Sequence, residues 1–144
     1  MDKRFKVLDD DATADIAYVV YGNSLKEIYE NAAIGLFSIL TDIEKVDRVQ
    51  TDLVVLTAED REALLLDFLN ELLYSWEVGG VLPRDFSCEI DETDGGLELS
   101  CECEGELFDP EKHEIKAAVK AVTYFDMEIT QEDGSWKAKV TLDV

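Results

Sequence analysis

Two alternating runs meet at Asp94-Gly95-Gly96, and together they set the frame for everything else this chain can become. Before the turn, Phe86, Cys88 and Ile90 interleave with Ser87, Glu89 and Asp91. After it, Leu97, Leu99, Cys101 and Cys103 interleave with Glu98, Ser100, Glu102 and Glu104. Side chains of a strand alternate between faces, so each run has one apolar and one acidic face. A hairpin built this way must lay its apolar face on other structure and leave the acidic face in water. A second hairpin is predicted near 121–130 and 135–144, joined through Glu132-Asp133-Gly134. Its last strand puts Trp136, Ala138, Val140, Leu142 and Val144 on one face and Lys137, Lys139, Thr141 and Asp143 on the other.

The cover for these strands comes from two amphipathic segments. Residues 15–22, Asp-Ile-Ala-Tyr-Val-Val-Tyr-Gly, read as a buried central strand that stops at a glycine. Ser24-Leu25-Lys26-Glu27 then has the form of a capping box, and Leu25, Ile28, Tyr29, Ala32, Leu36, Ile39 and Leu40 recur at helical spacing, predicting a helix over 25–40. Val49 to Thr57 alternate as a strand. Thr57, Glu59 and Asp60 carry the start signals of a second helix, which is apolar over most of its circumference and ends at Gly79-Gly80. Residues 109–119 read as a loop. With no repeat, linker or low-complexity segment, the expectation is a single α+β domain over 1–144, with two main helices packed on a largely antiparallel β-sheet.

Composition narrows the function. A chain of 144 residues, 47% hydrophobic, can bury a core of its own. Thirteen basic against thirty-four acidic residues give a formal net charge of -21, which disfavours direct contact with nucleic-acid backbones or anionic membranes. The charge suits a basic protein partner, a bound cation, or solubility alone. No apolar run approaches the ~18 residues of a membrane span, so a soluble, cytoplasmic protein is expected. Three cysteines without an export signal suggest reduced thiols.

Catalytic chemistry is hard to find. Cys88, Cys101 and Cys103 lie on the apolar face, where core packing is the first reading and zinc or a disulfide the second. His113, the single histidine, sits in a charged loop and is expected at the surface. The glycine pairs end a helix and turn a hairpin, so no phosphate-cradling loop is present, and no catalytic residue is assigned. Asp9, Asp10 and Asp11 read as solvated loop residues. Asp15 differs because it abuts the buried strand, where an unsolvated carboxylate is costly without a cation or hydrogen-bond donors. Asp143 holds a similar place at the other end of the chain. If the first and last strands are neighbours, Asp15, Asp143 and the Val144 carboxylate converge into an all-oxygen pocket of the kind preferred by calcium, magnesium or manganese. Strand capping and hydrogen bonding to lysine are the alternatives.

Several stretches together resemble a known family: Ala12-Thr13-Ala14-Asp15, Tyr21-Gly22, LKEIYENAAIGLFSILTD at 25–42, LLLDFLNELLYSWE at 64–77, EIKAAVKAVTYFDMEI at 114–129 and the ending WKAKVTLDV. In this order, over almost the whole chain, the sequence resembles the archease family. The resemblance implies a small acidic α+β protein, not itself an enzyme, that assists the tRNA-splicing RNA ligase RtcB by promoting its guanylylation and multiple turnover. It also implies a divalent-cation site at Asp15, Asp143 and Val144, with calcium expected in isolated members and magnesium or manganese as alternatives. A chaperone-like scaffold for RNA-processing or RNA-modifying enzymes, with a purely structural metal, is the competing expectation. The sequence departs from the family pattern at Ala12 and Phe125, where histidines are usual, so roles carried by those histidines do not transfer.

Overall fold

In the computed structural model, which describes residues 4–8 and 15–144, the elements run β1 (Phe5–Leu8), β2 (Ile16–Gly22), α1 (Leu25–Leu40), β3 (Gln50–Ala58), α2 (Arg61–Gly79), β4 (Val81–Thr93), β5 (Gly96–Leu107), β6 (Ala121–Glu132) and β7 (Ser135–Asp143). A short 3-10 turn at Ile43–Lys45 follows α1. Asp9, Asp10, Asp11 and Ala12 lie outside the described residues.

The expected α+β domain forms, but its strands divide into two antiparallel sheets rather than one, ordered β1-β2-β7-β6 and β3-β5-β4. The division follows from partner choice. The β6–β7 hairpin joins β2 from Ile16↔Leu142 to Gly22↔Trp136, while β5 is paired on both sides by β3 and β4. Both hairpin turns fall where the turn residues demand. Thr93 faces Gly96 across Asp94-Gly95, and Glu132 faces Ser135 across Asp133 (φ 51°) and Gly134 (φ 80°), the paired positive dihedrals of a tight hairpin turn.

Each helix contacts both sheets: α1 packs on β4 and β2, and α2 on β6 and β3. Tyr18, Ile28, Tyr29, Leu36, Phe37, Leu65, Phe68, Leu99 and Val140 fall in one continuous core. Contact is close at Gly35, where an added Cβ would lie 2.7 Å from the buried Tyr18 ring. The same helix also holds Tyr18 by a hydrogen bond, its hydroxyl donating to the Ala32 carbonyl at 2.8 Å.

The helices also satisfy strand edges, which would otherwise present unpaired backbone groups. Asn70 of α2 donates to the Val122 carbonyl and accepts from the Val122 N–H, each at 3.0 Å. Glu62 accepts from Ile129 N–H at 3.1 Å, so α2 holds β6 at two points. Glu30 of α1 does the same for β4, accepting from Cys88 N–H at 2.9 Å.

The helix starts differ from the sequence reading. Ser24 is the N-cap of α1 but its side chain makes no capping bond, and Glu27 accepts from Asn23 N–H at 3.2 Å rather than from the cap residue. The second helix begins at Asp60, whose carboxylate accepts from Ala63 N–H at 2.8 Å, and Thr57 belongs to β3. Its far end is as read: Gly80 takes the left-handed conformation (φ 68°) and its N–H donates to the Trp76 carbonyl at 2.9 Å.

Candidate functional site

The first and last residues singled out in the sequence are brought together by strand register. β2 and β7 run antiparallel, with Ile16 opposite Leu142, so one further step sets Asp15 opposite Asp143. On the other side of β7, Asp143 faces Ala121 of β6, and its carbonyl accepts from Lys120 N–H at 2.8 Å. This bond anchors the end of β7 and sets where Val144 follows. Ile16 and Leu142 turn toward the core, so Asp15 and Asp143 lie on the opposite face of the sheet by alternation.

Burial corrects part of the sequence argument. Asp15 is exposed, while Asp143 and Val144 are half-buried. The cost of an unsolvated carboxylate therefore does not apply to Asp15. What remains is the register, which brings two aspartates to facing positions on one side of the sheet. Beside them is a residue that charge reasoning passed over. Thr141 shares the Asp143 face of β7, is buried, and its hydroxyl finds no hydrogen-bond partner among the described residues. Carboxylate oxygens, a hydroxyl and main-chain oxygens of Val144 are hard donors, the type a calcium, magnesium or manganese ion takes. The described residues contain no cluster of three or more His, Cys, Asp or Glu side chains fit to hold a metal. An ion held here would thus need Val144, Thr141 or water to complete its shell.

A second feature missed in the sequence flanks this end of the sheet. Pairing passes from Thr123↔Thr141 directly to Glu128↔Lys139, so residues 124–127 bulge out opposite Val140. Asp126 sits at φ 54° within the bulge and lies 3.4 Å from Lys139 Nζ. Tyr124 and Phe125 are 53% and 67% exposed, an unusual display of two aromatic rings on an edge strand. The available signal was the break in alternation at Tyr124-Phe125-Asp126. Phe125 is also one of the two positions singled out above as departures from the pattern of the family the sequence resembles.

The outer face of the β4–β5 hairpin is acidic as expected, with Glu89, Asp91, Glu102 and Glu104 exposed, whereas β3 adds the exposed Leu53 and Val55 to that face. His113, expected at the surface, is instead 4% exposed. Its Nδ1 accepts from Asp109 N–H at 2.9 Å, which leaves the proton on Nε2, 3.0 Å from Glu106 Oε2. Glu106 also meets Lys112 Nζ at 2.7 Å and Asp47 N–H at 2.6 Å. The Lys112 ammonium, then the Asp47 N–H, hold the Glu106 carboxyl down at about 2, with His113 adding a further donor. Lys112 closes the cluster by reaching Asp47 Oδ2 at 2.6 Å. This network ties the 109–113 loop to β5 and leaves its carboxylate fully engaged.

The comparisons with known proteins agree with this architecture. The model of the Archease protein family (MTH1598/TM1083) matches residues 5–144. The chain belongs to the archease family. A protein named archease from Pyrococcus abyssi is 43% identical over 133 residues, covering 92% of this chain and 94% of that one. An archease from Methanosarcina mazei is 39% identical over 143 residues, covering 99% and 97%. The solution structure of Methanobacterium thermoautotrophicum protein 1598 superposes with a TM-score of 0.86 at 42% identity, covering 98% of this chain and 99% of that one. A crystal structure of a Thermotoga maritima archease, described as a possible chaperone, shares the fold with a TM-score of 0.63 at 22% identity, covering 95% and 96%. No helix among the described residues of this archease is long and apolar enough to cross a membrane.

Proposed function

We propose that this archease is a cytoplasmic, non-catalytic accessory protein that activates the tRNA-splicing RNA ligase RtcB, promoting guanylylation and multiple turnover. What supports the reading is the β2–β7 register, whose last pair, Ile16↔Leu142, lies one step from Asp15 and Asp143. These residues, with the Thr141 hydroxyl, would hold a divalent cation, calcium in the isolated protein and magnesium or manganese as alternatives. When bound, the ion supplies positive charge next to phosphate or pyrophosphate groups on the partner. The chain's own part is to hold the two carboxylates on a rigid β2–β7 pair, and to dock through its acidic surface on a basic surface of the ligase. A net charge of -21 steers toward such a partner and away from free RNA.

The test is multiple-turnover ligation and guanylylation by the cognate ligase, with the native protein and with Asp15→Ala and Asp143→Ala, each verified as folded. Stimulation by the native protein and its loss in both variants is expected, together with weaker ligase association as ionic strength rises. Absence of stimulation by the native protein refutes the reading. Full stimulation by folded Asp15→Ala and Asp143→Ala, with a metal-dependent melting shift lost, would instead favour a chaperone-like scaffold with a structural metal.

A further inference from the structure

Three thiols stand in sequence on the inner face of β4 and β5. Cys88 and Cys101 are cross-strand partners with Sγ atoms 3.0 Å apart, and Cys103 Sγ lies 3.8 Å from Cys101 Sγ. The Cys88 N–H points away from β5, donating to Glu30. A residue's N–H and C=O leave a strand on the same side, so Cys88 and Cys101 form a non-hydrogen-bonded pair, whose Cα atoms approach to about 4.5 Å with the side chains drawn together. That separation is within the roughly 4.4–6.8 Å a disulfide spans, so bonding requires no backbone movement. Cys88 and Cys101 are sealed in the core. Cys103, 4% exposed, borders a cavity of about 400 Å³ between β3 and α2, lined also by Val54, Leu72, Ser75 and Pro83.

We infer that these cysteines form a redox modification site, a thiol relay that admits a low-molecular-weight disulfide at Cys103 and deposits a disulfide between Cys88 and Cys101. Cys103, as thiolate, attacks the reagent's S–S bond. A mixed disulfide forms and the expelled thiolate takes up the proton Cys103 released. Cys101 then loses its proton and attacks the Cys103 sulfur, forming a Cys101–Cys103 bond and releasing the second reagent thiol. Residues two apart along a strand are separated by about 6.6 Å. This is near the upper limit for a disulfide, so the bond is labile. Cys88, whose Sγ lies 3.0 Å from that of Cys101, attacks the Cys101 sulfur, forming the cross-strand bond and returning Cys103 as a thiol. Overall, two protein thiols give up two electrons and two protons, and the reagent becomes two thiols. The hydrogen bond to Cys101, and then burial, push the Cys103 thiol above its ordinary value, so the reaction quickens as pH rises.

The folded protein is incubated with oxidised glutathione, then unfolded, alkylated and mapped by mass spectrometry. A Cys88–Cys101 cross-link with Cys103 alkylated is expected. Folded Cys103→Ser should form the same link at least about tenfold more slowly, because the entry thiol is gone. Cys88→Ser should stop at a glutathione adduct or a Cys101–Cys103 bond. Three alkylated thiols after incubation of the native protein, or a link formed only in denaturant, overturns the site. An unchanged rate in Cys103→Ser overturns the relay.

Discussion

Asn70 offers the sharpest test of how α2 holds the sheet that carries the candidate site. Its carboxamide pairs with both backbone groups of Val122, at 3.0 Å each. Val122 is 3% exposed on the edge strand β6, one residue from the Ala121 that faces Asp143. Truncation by Asn70→Ala leaves one N–H and one C=O unpaired at a site water reaches poorly. Each orphaned buried group costs about 1–3 kcal/mol, and because Asn70 itself is half-buried the lower part of that range applies, for a total of about 2–4 kcal/mol. For a chain of 144 residues the unfolding entropy is about 0.3 kcal/mol/K, so Tm should fall by about 7–13 °C. Urea denaturation followed by circular dichroism should show a lower midpoint with unchanged slope. Asn70→Asp sharpens the test. The carboxylate still accepts from the Val122 N–H but confronts the Val122 carbonyl, and acidification supplies the missing donor, so its deficit should narrow at low pH. A loss below about 0.5 kcal/mol for Asn70→Ala would refute the premise that α2 satisfies the β6 edge.

Two further perturbations isolate other local arguments. Glu106 has its folded value lowered from 4.5 to about 2, so its contribution is present above 4.5 and is lost as pH falls through that interval to about 2. Glu106→Gln should therefore flatten the stability profile across that window and show its largest deficit at neutral pH, as read by thermal melts over a pH series. At the helix starts, Asp60→Ala should cost about 1 kcal/mol because a real capping bond is lost. Ser24→Ala should be neutral or slightly stabilising, since the Ser24 hydroxyl is buried without a partner among the described residues, and chemical denaturation of the two variants side by side checks the contrast.

The reach of sequence reasoning here follows the range of the interactions. The 25–40 helix was legible to the residue, because a 3.6-residue apolar period and its flanking turns are local properties. The turn at Asp94-Gly95-Gly96 was equally legible, but which pair of its residues forms the tip, and with it the Cys88↔Cys101 register, was decided by the structure. Ser24 and Asp60 show the limit even of local rules: both match a cap signature, and the surrounding structure decides which side chain makes the bond. The burial of His113 was invisible, since its setting depends on Glu106 and on an Asp47 far away in the chain. β1, four residues long with Lys6 in its centre, carries too little pattern to stand out.

Local patterning along the chain therefore sets the pieces and their faces: two amphipathic helices, alternating strands, two tight hairpins, an acidic surface, and aspartates flanking the first long strand and the last. Alternation and turn chemistry act between near neighbours, and every such constraint is written in the chain. The tertiary structure alone decided that the strands split into two sheets and that the 124–127 bulge displays Tyr124 and Phe125. It likewise decided that β2 pairs with β7 in the register that sets Asp15 opposite Asp143. The reason is physical: strand pairing is chosen by which apolar faces can be buried together, and for β2 and β7 that choice joins residues more than a hundred positions apart.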